Sequence, residues 1–203
     1  MGAKESILGK SFFYKIAMSW MGADRGNTIL VQDYIRPGMN ERVIDIGCGP
    51  ANILNYFPDS IQYVGIDYNS EYIQSAKLRY GNRGSFQVLD INHPSIFQSE
   101  KPFDLAIGIG VLHHLTDAEV AKFFMLAKEN LKEGGRLVTY DGCYLPKQNR
   151  ISKWLLDHDR GKFVRAPEEY LRLAQLHFSQ VKLHRRSDLS RIPYDVVIME
   201  CQE

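Results

Sequence analysis

Val43-Ile44-Asp45-Ile46-Gly47-Cys48-Gly49-Pro50 decides the fold, because an apolar β-branched run enters a turn with two glycines. The apolar run reads as a strand buried on both faces. The glycines let backbone approach a ligand where a Cβ would collide, so the turn predicts a ligand at the strand's C-terminal edge, with a helix to follow. Asp45 puts a carboxylate beside that ligand, which suits a cation better than a pyrophosphate.

The same alternation extends outward. Strands are expected at Arg42 to Ile46, Ile61 to Ile66, Ser85 to Leu89, Phe103 to Ile109 and Arg136 to Tyr140, with helical patterns between them. Asn69 and Ser70 cap a helix bearing Ile73, Ala76 and Tyr80 that Gly81 stops. Thr116 and Glu119 form a capping box ahead of Val120, Phe123, Phe124, Ala127 and Leu131, and Gly134 is the expected end. Pro167 opens a further helix, and Phe178 to His184 with Tyr194 to Cys201 read as a closing hairpin. Two helical patterns precede the sheet. One carries Leu8, Phe12, Phe13, Ile16 and Trp20; the other carries Ile29, Leu30, Tyr34 and Ile35 and meets Pro37-Gly38.

Two more acidic strand ends follow. Asp67 lies 20 residues past Gly47, where a carboxylate accepts both ribose hydroxyls of an adenosine ligand, whether NAD or S-adenosylmethionine. Asp90 is placed to accept from an adenine amine, while Tyr68 and Ile91 offer apolar faces to the ring. Three acidic groups and no basic residue in the glycine turn favour a sulfonium and ammonium ligand over a dinucleotide. Asn52, where a dinucleotide turn has a small third residue, points the same way.

Together VIDIGCGPANIL, YVGIDYN, VLDIN, FDLAIGIGVLHHL and LKEGGRLVTYD resemble the class I S-adenosylmethionine-dependent methyltransferases. The resemblance implies a Rossmann-like α/β fold with a seven-stranded mixed sheet, order 3-2-1-4-5-7-6, strand 7 antiparallel, flanked by helices under an N-terminal helical lid. It implies one domain over residues 1–203: N-terminal helices to 40, a cofactor-binding core over 41–141, and a substrate-covering insertion and hairpin over 142–203. It gives Gly47 and Gly49 to the methionine end of S-adenosylmethionine, Asp67 to the ribose, Asp90 with Tyr68 and Ile91 to the adenine, Asp45 to the ammonium through water or loop backbone, and Gly110 to the cofactor site.

Methyl transfer needs an aligned nucleophile and a group to take its proton. His113 and His114 follow the fourth strand, and Asp141 follows the fifth. The resemblance is to small-molecule O-methyltransferases in which such a set acts together. Adjacent histidines at a helix start point about 100° apart, so one faces the methyl group and the other is structural. The chain therefore reads as an O-methyltransferase for a small-molecule or sugar hydroxyl, yielding S-adenosylhomocysteine. A small amine as acceptor is the alternative within the class, and an NAD-dependent oxidoreductase is the alternative outside it.

Composition agrees with a soluble enzyme. The chain has 203 residues and a formal charge of +1, so no global positive field draws it to nucleic acid or anionic lipid. Gly-Ile-Gly-Val, where base-amine methyltransferases carry [DN]-P-P-[YF], further lowers the nucleic-acid reading. No apolar run reaches a membrane span, so no stable membrane association is expected. Cys48, Cys143 and Cys201 have no paired spacing, so no metal is assigned and a cytoplasmic location is expected. The charge is unevenly spread, acidic up to Asp141 and basic beyond it. Asp159-Arg160-Gly161-Lys162-Phe163-Val164-Arg165 is the basic stretch in the insertion, and Arg160 and Arg165 are expected to contact the acceptor.

Overall fold

The computed structural model describes residues 23–92, 101–159 and 161–203. The pattern from Leu8 to Trp20, and with it the expected N-terminal lid, lies outside them. The strands are β1 (Arg42–Ile46), β2 (Gln62–Asp67), β3 (Gly84–Val88), β4 (Phe103–Ile109), β5 (Leu131–Gly142), β6 (Gln180–Arg186) and β7 (Val196–Gln202). They form one 7-stranded sheet in the order β3-β2-β1-β4-β5-β7-β6. Pairing is parallel from β3 to β5, and β7 runs antiparallel to both β5 and β6. The expected topology is the observed one.

Alternation along the central strands sends side chains to two cores. Val43, Leu105, Ile107, Val138 and Ile198 meet the helical segment α1 (Ala23–Ile29) with its continuation Leu30–Ile35, and α2 (Ser70–Tyr80). Ile44, Ala106, Leu137, Val197 and Met199 meet α3 (Asp117–Asn130) and α5 (Pro167–Gln175) on the other face. Between them α4 (Arg150–Asp157) sits in the stretch that follows β5.

The caps form as read. Asn69 accepts from the N–H groups of Glu71 and Tyr72, and Thr116 and Glu119 close a full capping box. Other local expectations are corrected. The glycine turn leads into a single 3-10 turn, Asn52–Tyr56, where a longer helix was expected; Pro58 stands just beyond it. The Leu30–Ile35 stretch winds as a π-helix, which turns Leu30, Val31, Tyr34 and Ile35 inward, and Arg36 ends it in a left-handed conformation. Helix α3 stops at Asn130, before Gly134, because Leu131 pairs with Phe103 and so joins the sheet. Helix α4, capped by Asn149, is not foreseen by the sequence reading. Among the described residues no helix is long and apolar enough to cross a membrane.

Candidate active site

The strand order reverses between β1 and β4, and their C-terminal edges open the crevice in which open α/β sheets hold ligands. Gly47 and Gly49 adopt φ +77° and +53°, the left-handed region that favours glycine. At Gly47 a Cβ would also come within 2.6 Å of Val111 Cγ2, so the residue admits the loop after β4 against the turn. Gly110 heads that loop at φ +69°.

Asp67 ties the two sides of the turn together. Its Oδ2 accepts from Gly49 N–H at 2.9 Å and its Oδ1 from Asn69 N–H at 2.8 Å. A carboxylate has about four lone-pair sites, so both oxygens keep capacity for a diol. Asp90 is exposed beyond β3, with Oδ1 accepting from Asn92 N–H at 2.8 Å. Ile91, partly buried, packs against the second core, whereas Tyr68 leaves 75% of its surface exposed.

Asp45 is the unusual member. Tyr63 Oη donates to its Oδ2 at 2.5 Å, while Oδ1 is buried with no hydrogen-bond partner among the described residues. Burial pushes the carboxyl up to about 7, against the Tyr63 hydrogen bond and with the help of the Asp67 charge. A lone buried carboxylate oxygen in a ligand crevice suits a cation. Tyr63 was not singled out from the sequence; its signal is β-register, since it pairs with Val43 across β1 and β2.

Beyond β4, Leu112–His114 makes a 3-10 turn that separates the two histidines. His113 is buried and His114 exposed, with ring centroids 4.2 Å apart. His113 Nδ1 lies 2.8 Å from Asp141 Oδ1, which also accepts the His113 backbone N–H at 3.2 Å. Burial works against a charged His113, but the hydrogen bond and charge of Asp141, with Asp159 behind them, outweigh it and raise its pKa. The Asp141 carboxylate favours the tautomer with the proton on Nδ1, which leaves the lone pair on Nε2.

The basic insertion reaches this site differently from the expectation. Arg165 donates through Nε and Nη2 to Asp117 Oδ1, through Nη1 to the carbonyls of Leu112 and Phe163, and through Nη2 to that of Leu115. All five N–H groups of its fork are thereby used inside the protein, which leaves none for an acceptor in this conformation. Arg160 lies outside the described residues. Asp159 instead comes to the site, with Oδ1 3.8 Å from His113 Nε2 and Oδ2 accepting from Tyr194 Oη at 3.3 Å. Gly161 seats the loop on the imidazole, since a Cβ there would lie 2.2 Å from His113 Cδ2. Asp159 belongs to the stretch singled out in the sequence, but attention went to its arginines.

Comparison with known proteins accords with this geometry. Residues 44–137 match the family model described as a methyltransferase domain. A protein of Invertebrate iridescent virus 6 with a provisional methyltransferase name is 31% identical over 108 residues, covering 52% of this chain and 38% of that one. The chain spans well under half the length of the curated relatives it matches. Among solved structures, a TehB-like SAM-dependent methyltransferase from Corynebacterium glutamicum superposes with TM-score 0.65 at 18% identity, covering 96% of this chain and 98% of that one. N-methyltransferase NodS from Bradyrhizobium japonicum, in complex with S-adenosylhomocysteine, gives TM-score 0.66 at 16% identity, covering 89% and 86%. Residues 44–137 are thus similar to a methyltransferase domain, and the strands that follow complete the same seven-stranded sheet.

Proposed function

We propose that the protein is an S-adenosylmethionine-dependent methyltransferase that methylates a hydroxyl of a small-molecule or sugar acceptor, with His113 taking the proton. The observation that carries the reading is the Asp141–His113 contact at 2.8 Å, which engages Nδ1 and leaves Nε2 for the acceptor's proton. S-adenosylmethionine supplies a methyl group activated by its sulfonium. In this reading the unpartnered Oδ1 of Asp45 takes the ammonium, Asp67 the ribose diol, and Asp90, Tyr68 and Ile91 the adenine. Gly47, Gly49 and Gly110 let the methionine end lie against backbone. His113 Nε2 accepts the acceptor's proton while Asp141 stabilises the imidazolium, and His114 lines the approach. Three buried free cysteines suit a reducing compartment, so we place the protein in the cytoplasm.

Calorimetry with S-adenosylhomocysteine tests the ligand. Wild type is expected to bind and Asp67→Ala to lose most of that affinity; tight NADH binding with none of S-adenosylhomocysteine would replace the reading with the oxidoreductase one. Transfer of labelled methyl onto a panel of sugars, lipids, phenols and amines tests the reaction. His113→Ala and Asp141→Asn are expected to slow transfer by about 10²–10⁴-fold, the usual worth of a positioned base. Full activity of both would point to an amine acceptor, which deprotonates more easily and needs less base.

A further inference from the structure

The residues around Nε2 of His113 make a donor set that proton transfer alone does not use. The ligating atoms of His113, His114 and Asp159 all lie within 4.8 Å of one another. We propose that these three residues bind a divalent transition cation, with zinc as the best match to two imidazoles and one carboxylate. A tetrahedral zinc with bonds of about 2.0 Å needs its ligand atoms about 3.3 Å apart. His113 is buried, whereas His114 and Asp159 are exposed, and closing on the ion would draw the ligand atoms together by up to about 1.5 Å.

Outer contacts favour the same use. Asp141 on Nδ1 of His113 is the carboxylate–histidine arrangement that orients a ligating imidazole and raises its basicity. Asp159 is oriented too, by Tyr194 Oη on Oδ2 and by Gly161 N–H on Oδ1 at 3.1 Å. The loop is held by Phe163 N–H on the His113 carbonyl at 2.9 Å and by the Arg165 fork. Two of the three ligands are thus preset by partners that do not themselves touch the ion. His113 and His114 are adjacent, but Asp159 lies 45 residues further on, so no short spacing motif marks the set.

Three protein ligands leave a further position open to water or to an acceptor oxygen. The cation also occupies the lone pair that takes the acceptor's proton, so zinc and turnover compete at Nε2. That consequence rests on the proposed function; the site itself does not.

The test uses untagged full-length protein stripped with chelator and titrated calorimetrically with zinc chloride. One ion per chain is expected, with affinity falling tenfold or more in Asp159→Asn and in His114→Ala, at least the loss that outer-contact changes cause. Both side chains are exposed, so both variants are expected to keep the wild-type circular dichroism. Cobalt(II) is expected to give visible absorption that both variants lose. Absence of saturable zinc binding, or wild-type affinity in both variants, overturns the site. Where labelled-methyl transfer is measured, zinc is expected to suppress it and chelator to restore it. Zinc that binds and accelerates transfer supports the site and removes His113 as base. Transfer that depends on His113 with no zinc binding keeps the base and overturns the site.

Discussion

Asp45 shows how one buried side chain couples charge to ligand binding. With its carboxyl pushed up to about 7, the folded protein holds a proton there that the unfolded chain releases near the ordinary carboxyl value of 3.8. Its contribution to stability is therefore fully present below about pH 4 and is lost as pH rises through about 7. Binding of an ammonium favours the ionised form and so runs the other way. Affinity for S-adenosylhomocysteine is expected to rise between pH 6 and 8, approaching tenfold per unit on the acid side, as for any single required deprotonation. Asp45→Asn is expected to bind weakly with no such rise. Tyr63→Phe removes the hydrogen bond that holds the carboxyl down and is expected to move the midpoint upward. Calorimetry across pH with the three proteins checks all three outcomes.

At the scale of elements, the 3-10 turn Leu112–His114 and the loop before α5 are held as one unit by Arg165. Its guanidinium is nearly buried and satisfies three backbone carbonyls as well as Asp117. Lysine keeps the charge but has neither the planar fork nor the number of donors. Arg165→Lys is expected to cost about 2–4 kcal/mol, the worth of leaving such buried acceptors unpaired. For a chain of this size that lowers the melting temperature by roughly 5–15 °C, measurable by calorimetric scanning. Stretches with local signals were legible in the sequence: the caps at Asn69 and Thr116 and the glycines of the turn stand where they were read. Boundaries set by partners were not. Leu131 has a place on the apolar face of a helix, yet pairing with Phe103 takes it into β5.

At the scale of the molecule, the last strand of the chain is an interior one. β7 lies between β5 and β6 and pairs Leu137 to Gly142 along its length. Val196, Ile198 and Val197, Met199 serve opposite cores. Ending the chain at residue 179 would open a long edge on β5 and uncover both faces beside it. Such a truncation is expected to be insoluble or to lose cooperative melting, which size-exclusion chromatography and thermal circular dichroism would show.

By itself the sequence determined the alternation of strands and helices, through periodicity, and a family resemblance implied the sheet order. It also marked the acidic strand ends and the His-His and Asp141 set, all features carried by short contiguous runs. Only the tertiary structure decided that His113 is the buried partner of Asp141 and that Tyr63 holds Asp45. It likewise decided that Arg165 is spent on the protein while Asp159 reaches the site. The reason is physical: a motif specifies which groups a segment carries, whereas their partners come from segments brought near only by folding, and burial then sets which donors and acceptors remain for a ligand.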